Sequence, residues 1–274
     1  MKIVNLIDNT KGPNTSLEVE HGLSFYIEID DKKLMLDVGA SDKFLRNAEK
    51  LNIEIADVDI LVLSHAHSDH TGGLKYFLQN NNKAKIYLSS YIDDSKYYSI
   101  RRGKKRDLSI DYPLTQKYQN RFIKVINNLE LSPSIEIISK IPTLYEQPKA
   151  NSTLFAGNSN DNFKHEIALC LKGKKETILL SSCSHLGLLN ILSSCNNTSI
   201  STFIGGLHLI DSDELNTFET NQDLVNIGRE ILTEYPALKI YTGHCTGLNA
   251  IHELSKILDT HFNTFYSGFK KEFI

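Results

Sequence analysis

Ser64-His65-Ala66-His67-Ser68-Asp69-His70-Thr71-Gly72-Gly73 places three imidazoles and a carboxylate directly after the apolar run Ile60-Leu61-Val62-Leu63. A chain built this way needs a rigid strand end from which polar side chains converge. His65 and His67, two apart on an extended exit, point the same way and can share one cation. Asp69 and His70 enter the following helix and face a neighbouring cation, and the paired glycines let the backbone turn tightly around both. The plain alternative is a polar surface loop, against a background of ten histidines. The His-Glu-x-x-His helix of zincin proteases is absent.

Short apolar runs rich in β-branched residues alternate with helical patterns through most of the 274 residues. Lys2–Ile7, Leu23–Ile29 and Lys33–Asp37 read as an antiparallel meander turning at Asp30-Asp31. Lys43–Leu51 reads as a helix, Ile60–Leu63 as a buried strand, Leu74–Leu78 as the continuation of a helix begun near Thr71, and Lys85–Ser89 as a strand. Further strands fall at Ile167–Leu171, Thr177–Ser181, Ser201–Ile204 and Lys239–Thr242, with helices near Leu186–Ser193, Asp223–Glu234 and Leu248–Leu258. Several strands run into histidine-bearing loops. This predicts an α/β protein, an αββα sandwich of two mixed β-sheets flanked by helices with a site at one end of the strands. The chain reads as a single domain over 1–274, with an insertion or cap at about 91–148 that carries Arg101-Arg102-Gly103-Lys104-Lys105-Arg106. That basic run is either a solvated loop or a wall of cations over the site for phosphate recognition.

A hydrophobic content of 41% with 23% charged residues excludes disorder. The net charge of −3 supplies no general positive field, so nucleic acid is not expected as a partner. No window approaches the roughly 18 apolar residues of a membrane span, and the N-terminal apolar stretch is too interrupted for a signal peptide. Cys170, Cys183, Cys195 and Cys245 form no CxxC pair, which points to a reducing cytoplasm. His208, after Gly205-Gly206 at a strand end, is a candidate to protonate a leaving group, or else a satisfied core histidine. His252 lies on a helical pattern and reads as structural, whereas His21 can approach the site through Glu20-His21-Gly22.

His65-x-His67-x-Asp69-His70 followed by Thr71-Gly72-Gly73 resembles the signature of the metallo-β-lactamase superfamily, and Leu34-Met35-Leu36-Asp37-Val38-Gly39 resembles its preceding strand and turn. Glu20-His21-Gly22-Leu23-Ser24, Ser182-Cys183-Ser184-His185, Gly205-Gly206-x-His208-Leu209 and Gly243-His244-Cys245-Thr246-Gly247 resemble the dihydropterin ribofuranosylaminobenzene 5′-phosphate synthase subfamily. The resemblance implies a binuclear centre of two divalent metal ions, with zinc expected and iron or manganese as alternatives. It implies that His65, His67 and His185 hold one ion, and Asp69, His70 and His244 the other. Where many relatives have a bridging Asp this chain has Cys183, a second-metal ligand or a small packing residue. His165 occupies a further position that often carries a ligand, beside Glu166.

The expected activity is hydrolysis of an ester, phosphoester or related bond in a small, in one version phosphorylated, molecule. Asp69 would orient a hydroxide held between two metals and His208 would protonate the leaving group. The alternatives are a synthase or transferase acting on a phosphorylated pterin-like substrate, and a di-iron redox protein.

Overall fold

The computed structural model describes residues 1–195 and 198–274. Two seven-stranded mixed sheets dominate it. In spatial order the first runs Lys270–Glu272, Lys2–Ile7, Ser24–Ile29, Lys32–Leu36, Ile60–Val62, Lys85–Ser89 and Phe122–Val125. The second runs Phe262–Thr264, Lys239–Thr242, Thr202–Gly205, Thr177–Ser181, Ala168–Lys172, Ile135–Ile138 and Leu129–Ser132. A third, four-stranded sheet pairs Ser159–Asn160, Leu154–Ala156, Tyr97–Arg101 and Lys104–Asp107. The later part of the 91–148 segment therefore supplies strands to both large sheets, and the basic run forms a hairpin of the third.

Three buried clusters define four layers. Leu34, Leu36, Phe25 and Ile27 of the first sheet meet Leu169, Leu171, Ile178 and Leu180 of the second in the central layer. Their neighbours along the same strands, Tyr26 and Met35 on one side and Ala168, Cys170 and Leu179 on the other, pack against the outer helices. This explains why runs such as Ile60–Val62 show no polar alternation: side chains still alternate, but both faces are covered. The chain is thus an αββα sandwich. Asp30 and Asp31, at φ 47° and 58°, make the tight turn of the meander.

One helix differs from the sequence reading. Ser68–Thr71 and Leu74–Asn80 are separate helices, because Gly72 and Gly73 lie against main chain: a Cβ on Gly73 would stand 2.1 Å from the Val38 carbonyl oxygen. The four-residue helix can then turn Asp69 and His70 inward while Leu74 and Phe77 enter the core. Gly205 is under a harder constraint, since a Cβ there would lie 1.7 Å from the Ser181 carbonyl oxygen. Gly205→Ala is expected to force the Ser181 and Gly205 strand ends apart and to cost about 3 kcal/mol, which thermal unfolding of the metal-free chain would measure.

Candidate metal centre

Asp37, His65, Cys183, His208 and His244 all lie just beyond the C-terminal end of a strand that is parallel to a neighbour. That end of an open α/β sheet is where a ligand can approach without disturbing the ladders. Four non-glycine residues there, Asp37, Ser184, His208 and His244, sit at φ between 52° and 61°. Strain of this kind persists where surrounding contacts over-determine the loop.

Two donor sets emerge. The donor atoms of His65, His67 and His185 lie within 4.8 Å of one another, and so do those of Asp69, His70 and His244. Cys183 lies among them, 3.2 Å from His70 Nε2. All are buried. Among the described residues His165 belongs to neither set: its Nε2 is 2.9 Å from Asp161 Oδ2 and its Nδ1 accepts from the Ala66 amide. His208 is buried with both ring nitrogens unpartnered, its ring 4.1 Å from that of His185. His21 stacks on His244 with Nε2 3.4 Å from Asp69 Oδ2, whereas His252 is exposed and His261 donates to the Leu238 carbonyl.

The outer nitrogen of each imidazole decides what the inner one can do. The Ser64 hydroxyl donates to Asp37 and so accepts from His65 Nδ1 at 2.8 Å, which leaves the lone pair on Nε2. His70 Nδ1 donates to Asp37 Oδ2 at 2.7 Å, and His67 turns Nε2 toward Asp161 Oδ2 at 3.8 Å. Two asparagines repeat one clamp. Asn151 donates to the His185 carbonyl at 2.7 Å while its Oδ1 accepts from His185 Nδ1 at 3.2 Å. Asn9 donates to the His244 carbonyl at 3.0 Å while its Oδ1 accepts from His244 Nδ1 at 3.1 Å. The inner nitrogens thus carry lone pairs: His65 Nε2 and His185 Nε2 are buried without a partner, and His70 Nε2 faces His244 Nε2 at 3.1 Å. Lone pairs turned on one another in a dry site repel unless a proton or a cation lies between them, so the residues fit a divalent cation.

The electrostatics agree. Burial holds His65 and His185 well below the ordinary imidazole range, so both are neutral donors. Burial opposes the charge of Asp69, but His70, His244 and His21 outweigh it and keep its carboxyl well below the usual range. Burial would also depress His244, yet the Asp69 carboxylate wins and pushes it up to about 9. In the metal-free chain a proton therefore occupies the place a cation would take, and loading must displace it.

The outer partners Asn9, Asn151 and Asp161 had no local signal in the sequence, since each works across a long stretch of chain. Glu166, pushed up to about 7 by burial, accepts the His185 and Leu186 amides at 2.9 and 2.7 Å and anchors that loop. Asn151→Ala is expected to weaken cation affinity about 10–100-fold by freeing the His185 ring, read by competition against a metal indicator.

Above the two sets lies a cavity of about 480 Å³ lined by His67, Asp69, His185 and His208 below and by Arg101, Arg102, Lys104, Lys105 and Arg106 on one wall. The Ser68 amide donates to the Leu108 carbonyl at 2.8 Å, which ties the basic hairpin to the histidine motif.

This architecture, with histidines, an aspartate and a cysteine gathered at its strand ends, is that of a metallo-β-lactamase fold protein. Residues 17–137 match the family model of the metallo-beta-lactamase superfamily. It is similar to a metal-dependent hydrolase of the β-lactamase superfamily of known structure, with a TM-score of 0.80 and 24% identity over 100% of this chain and 99% of that one. It is 27% identical to the 7,8-dihydropterin-6-methyl-4-(beta-D-ribofuranosyl)-aminobenzene-5'-phosphate synthase of Methanocaldococcus jannaschii, over 98% of this chain and 95% of the relative. A stretch of 82 residues, 28% of this chain and 30% of the relative, is 39% identical to the exodeoxyribonuclease WalJ of Streptococcus pneumoniae. Among the described residues no helix is long and apolar enough to cross a membrane.

Proposed function

We propose that the chain is a metal-dependent hydrolase acting on small phosphorylated molecules. His65, His67 and His185 would hold one cation and Asp69, His70 and His244 a second, with the Cys183 thiol lying beside both sets. The observation that carries this reading is the direction of the imidazoles: His65, His70, His185 and His244 are anchored through Nδ1, His65 Nε2 and His185 Nε2 are buried without a partner, and His70 Nε2 faces His244 Nε2. Two divalent ions, zinc by this reading, would supply Lewis acidity and a water of lowered pKa. The chain's own residues do the rest. Asp69, ionised throughout the neutral range, accepts hydrogen bonds within the site and orients the attacking group. His208, with free nitrogens at the cavity wall, holds a proton at a ring nitrogen for the leaving oxygen. The basic hairpin pairs with the phosphate group, and the buried His65 and His185 keep the floor free of bulk water.

The test is a panel of phosphate monoesters, phosphodiesters, carboxylic esters and lactones, assayed before and after complete chelation. Phosphorylated substrates should be preferred, and activity should vanish with the metal and return with zinc. Replacing Lys104 and Arg106 by Ala should raise KM for the phosphorylated substrate roughly tenfold for each ion pair lost, with kcat little changed. Activity that survives complete metal removal overturns the reading. A second reading is favoured by the similarity to the pterin phosphate synthase along nearly the whole chain. In that case the same centre serves a transfer reaction on a phosphorylated pterin-like substrate, and pterin phosphates should bind while the hydrolysis panel stays silent.

A further inference from the structure

A second cavity, of about 370 Å³, lies between the segment 144–149, the turn after His185 and the helix Asn221–Glu234. The segment 207–210 divides it from the metal cavity: Leu207 and Leu209 line this one, whereas His208 and Ile210 line the other. Its wall is fixed in place. Asn190, fully buried, accepts the Leu144 and Tyr145 amides on Oδ1 at 2.7 and 2.8 Å and donates from Nδ2 to the Tyr145 and Leu186 carbonyls at 2.9 and 2.7 Å. Gly187, at φ 92°, lets that segment close in, since a Cβ there would stand 3.0 Å from the Glu146 carbonyl oxygen. A preformed concave site of this size suits a small organic molecule. The apolar part of the lining is Leu188, Leu189, Leu207, Leu209 and Ile227, and the charged part sets Glu146, Glu219, Asp223 and Glu230 against the Lys149 ammonium. Lys149 holds its proton above the ordinary lysine range, first through its hydrogen bond to Asp223 and further through Glu219 and Glu146. Asp223 Oδ2 is already engaged, by Lys149 Nζ at 2.6 Å and by the Thr220 amide and hydroxyl, each at 2.8 Å. Glu219 is not. Its Oε1 accepts the Lys149 amide at 2.6 Å, but its Oε2 is shielded from solvent and has no hydrogen-bond partner among the described residues. A carboxylate oxygen shut away from water without a donor destabilises the chain, and a ligand ammonium would supply that donor.

We propose that this cavity is a second binding site, for a primary ammonium ion carried on a compact apolar body. The ammonium sits on Glu219, and the apolar part lies against Leu188, Leu189 and Ile227. Charge and burial are both needed: a carboxylate of the same shape meets Glu146, Glu219 and Glu230 as like charges, and a bare ammonium leaves the leucines unfilled. Among the described residues no member of either histidine set lines the cavity, so binding here does not depend on the two-cation reading.

Calorimetric titration of butylammonium, pentylammonium and hexylammonium into the full chain, metal-free and zinc-loaded, tests this. The amines should bind both forms, tighten roughly fourfold with each added methylene, and leave hexanoate without measurable binding. Glu219→Gln keeps an acceptor for the Lys149 amide and should weaken hexylammonium by about tenfold or more. Asn226→Arg, which plants a guanidinium on the helix face lining the cavity, should abolish binding. An amine that binds only the zinc-loaded chain is a metal ligand, and that result overturns the proposal. So does an unaltered metal-free chain that binds no amine, hexanoate bound as tightly as the amine, or affinity unchanged in Glu219→Gln. Self-association of the chain in sedimentation that Asn226→Arg abolishes and the amines leave untouched would make a second copy the occupant, which also overturns it. Loss of the two-cation reading, seen as no zinc uptake, leaves amine binding in place. Because the amine series on the unaltered chain is decisive, a variant that fails to fold leaves the question answerable.

Discussion

His70→Ala is expected to empty the Asp69–His70–His244 set and to lower turnover by more than the 10–100-fold typical of losing an outer partner of a metal ligand. His70 Nε2 lies 3.1 Å from His244 Nε2, 3.2 Å from Cys183 Sγ and 3.5 Å from Asp69 Oδ2, so its removal takes a donor from the junction of both sets. Elemental analysis after dialysis should find about half the metal of the unaltered chain, and kcat should fall with it. In the unaltered chain, binding at the Asp69–His70–His244 set should weaken with acidity. His244 is pushed up to about 9 in the metal-free chain, so below that pH a cation must expel a proton, and affinity should rise as pH climbs toward it. A His70→Ala chain with full metal content and unchanged kcat would remove His70 from the centre.

The largest effect on stability is expected from Asp37→Ala. Asp37 is fully buried at positive φ. Its Oδ1 accepts the Ser64 amide at 2.7 Å, and its Oδ2 accepts the Ser64 hydroxyl and His70 Nδ1, each at 2.7 Å. Removing the carboxylate strands three buried donors at once, where a single stranded donor costs about 1–3 kcal/mol. Allowing for relaxation, the loss should be about 3–5 kcal/mol, or roughly 6–20 °C in melting temperature for a chain of this size. Calorimetry on the metal-free protein separates this from lost metal. A shift below about 2 °C would mean that water or a neighbour replaces the carboxylate.

The centre was unevenly legible beforehand. His65, His67, Asp69 and His70 announce themselves because strand-then-helix geometry places them together locally, with no need for distant contacts. His185, His208 and His244 were legible as histidines following apolar runs, and the structure places each at a strand end beside the motif. The basic hairpin could be read either as a solvated loop or as a wall. It lines the cavity because the Ser68–Leu108 hydrogen bond and the pairing of Tyr97–Arg101 with Leu154–Ala156 carry it there. The single helix expected across Thr71–Leu78 is two, since the approach of the Val38 carbonyl to Gly73 cannot be read from a hydrophobic period.

Asn9 and Asn151 went unnoticed for a related reason. An asparagine beside a turn usually bonds to its own backbone. Asn9 reaches His244 and Asn151 reaches His185 only because sheet order brings Lys2–Ile7 and the 149–153 turn to the same end of the sandwich. By itself the sequence determined the alternation of strand and helix, the αββα layering and the local run of donor side chains from His65 to His70, all of which follow from periodicity and short-range geometry. Only the tertiary structure decided which nitrogen of each imidazole faces inward and that Cys183 lies among both donor sets. Those outcomes depend on hydrogen bonds between residues far apart in the chain, which exist only once the two sheets have packed.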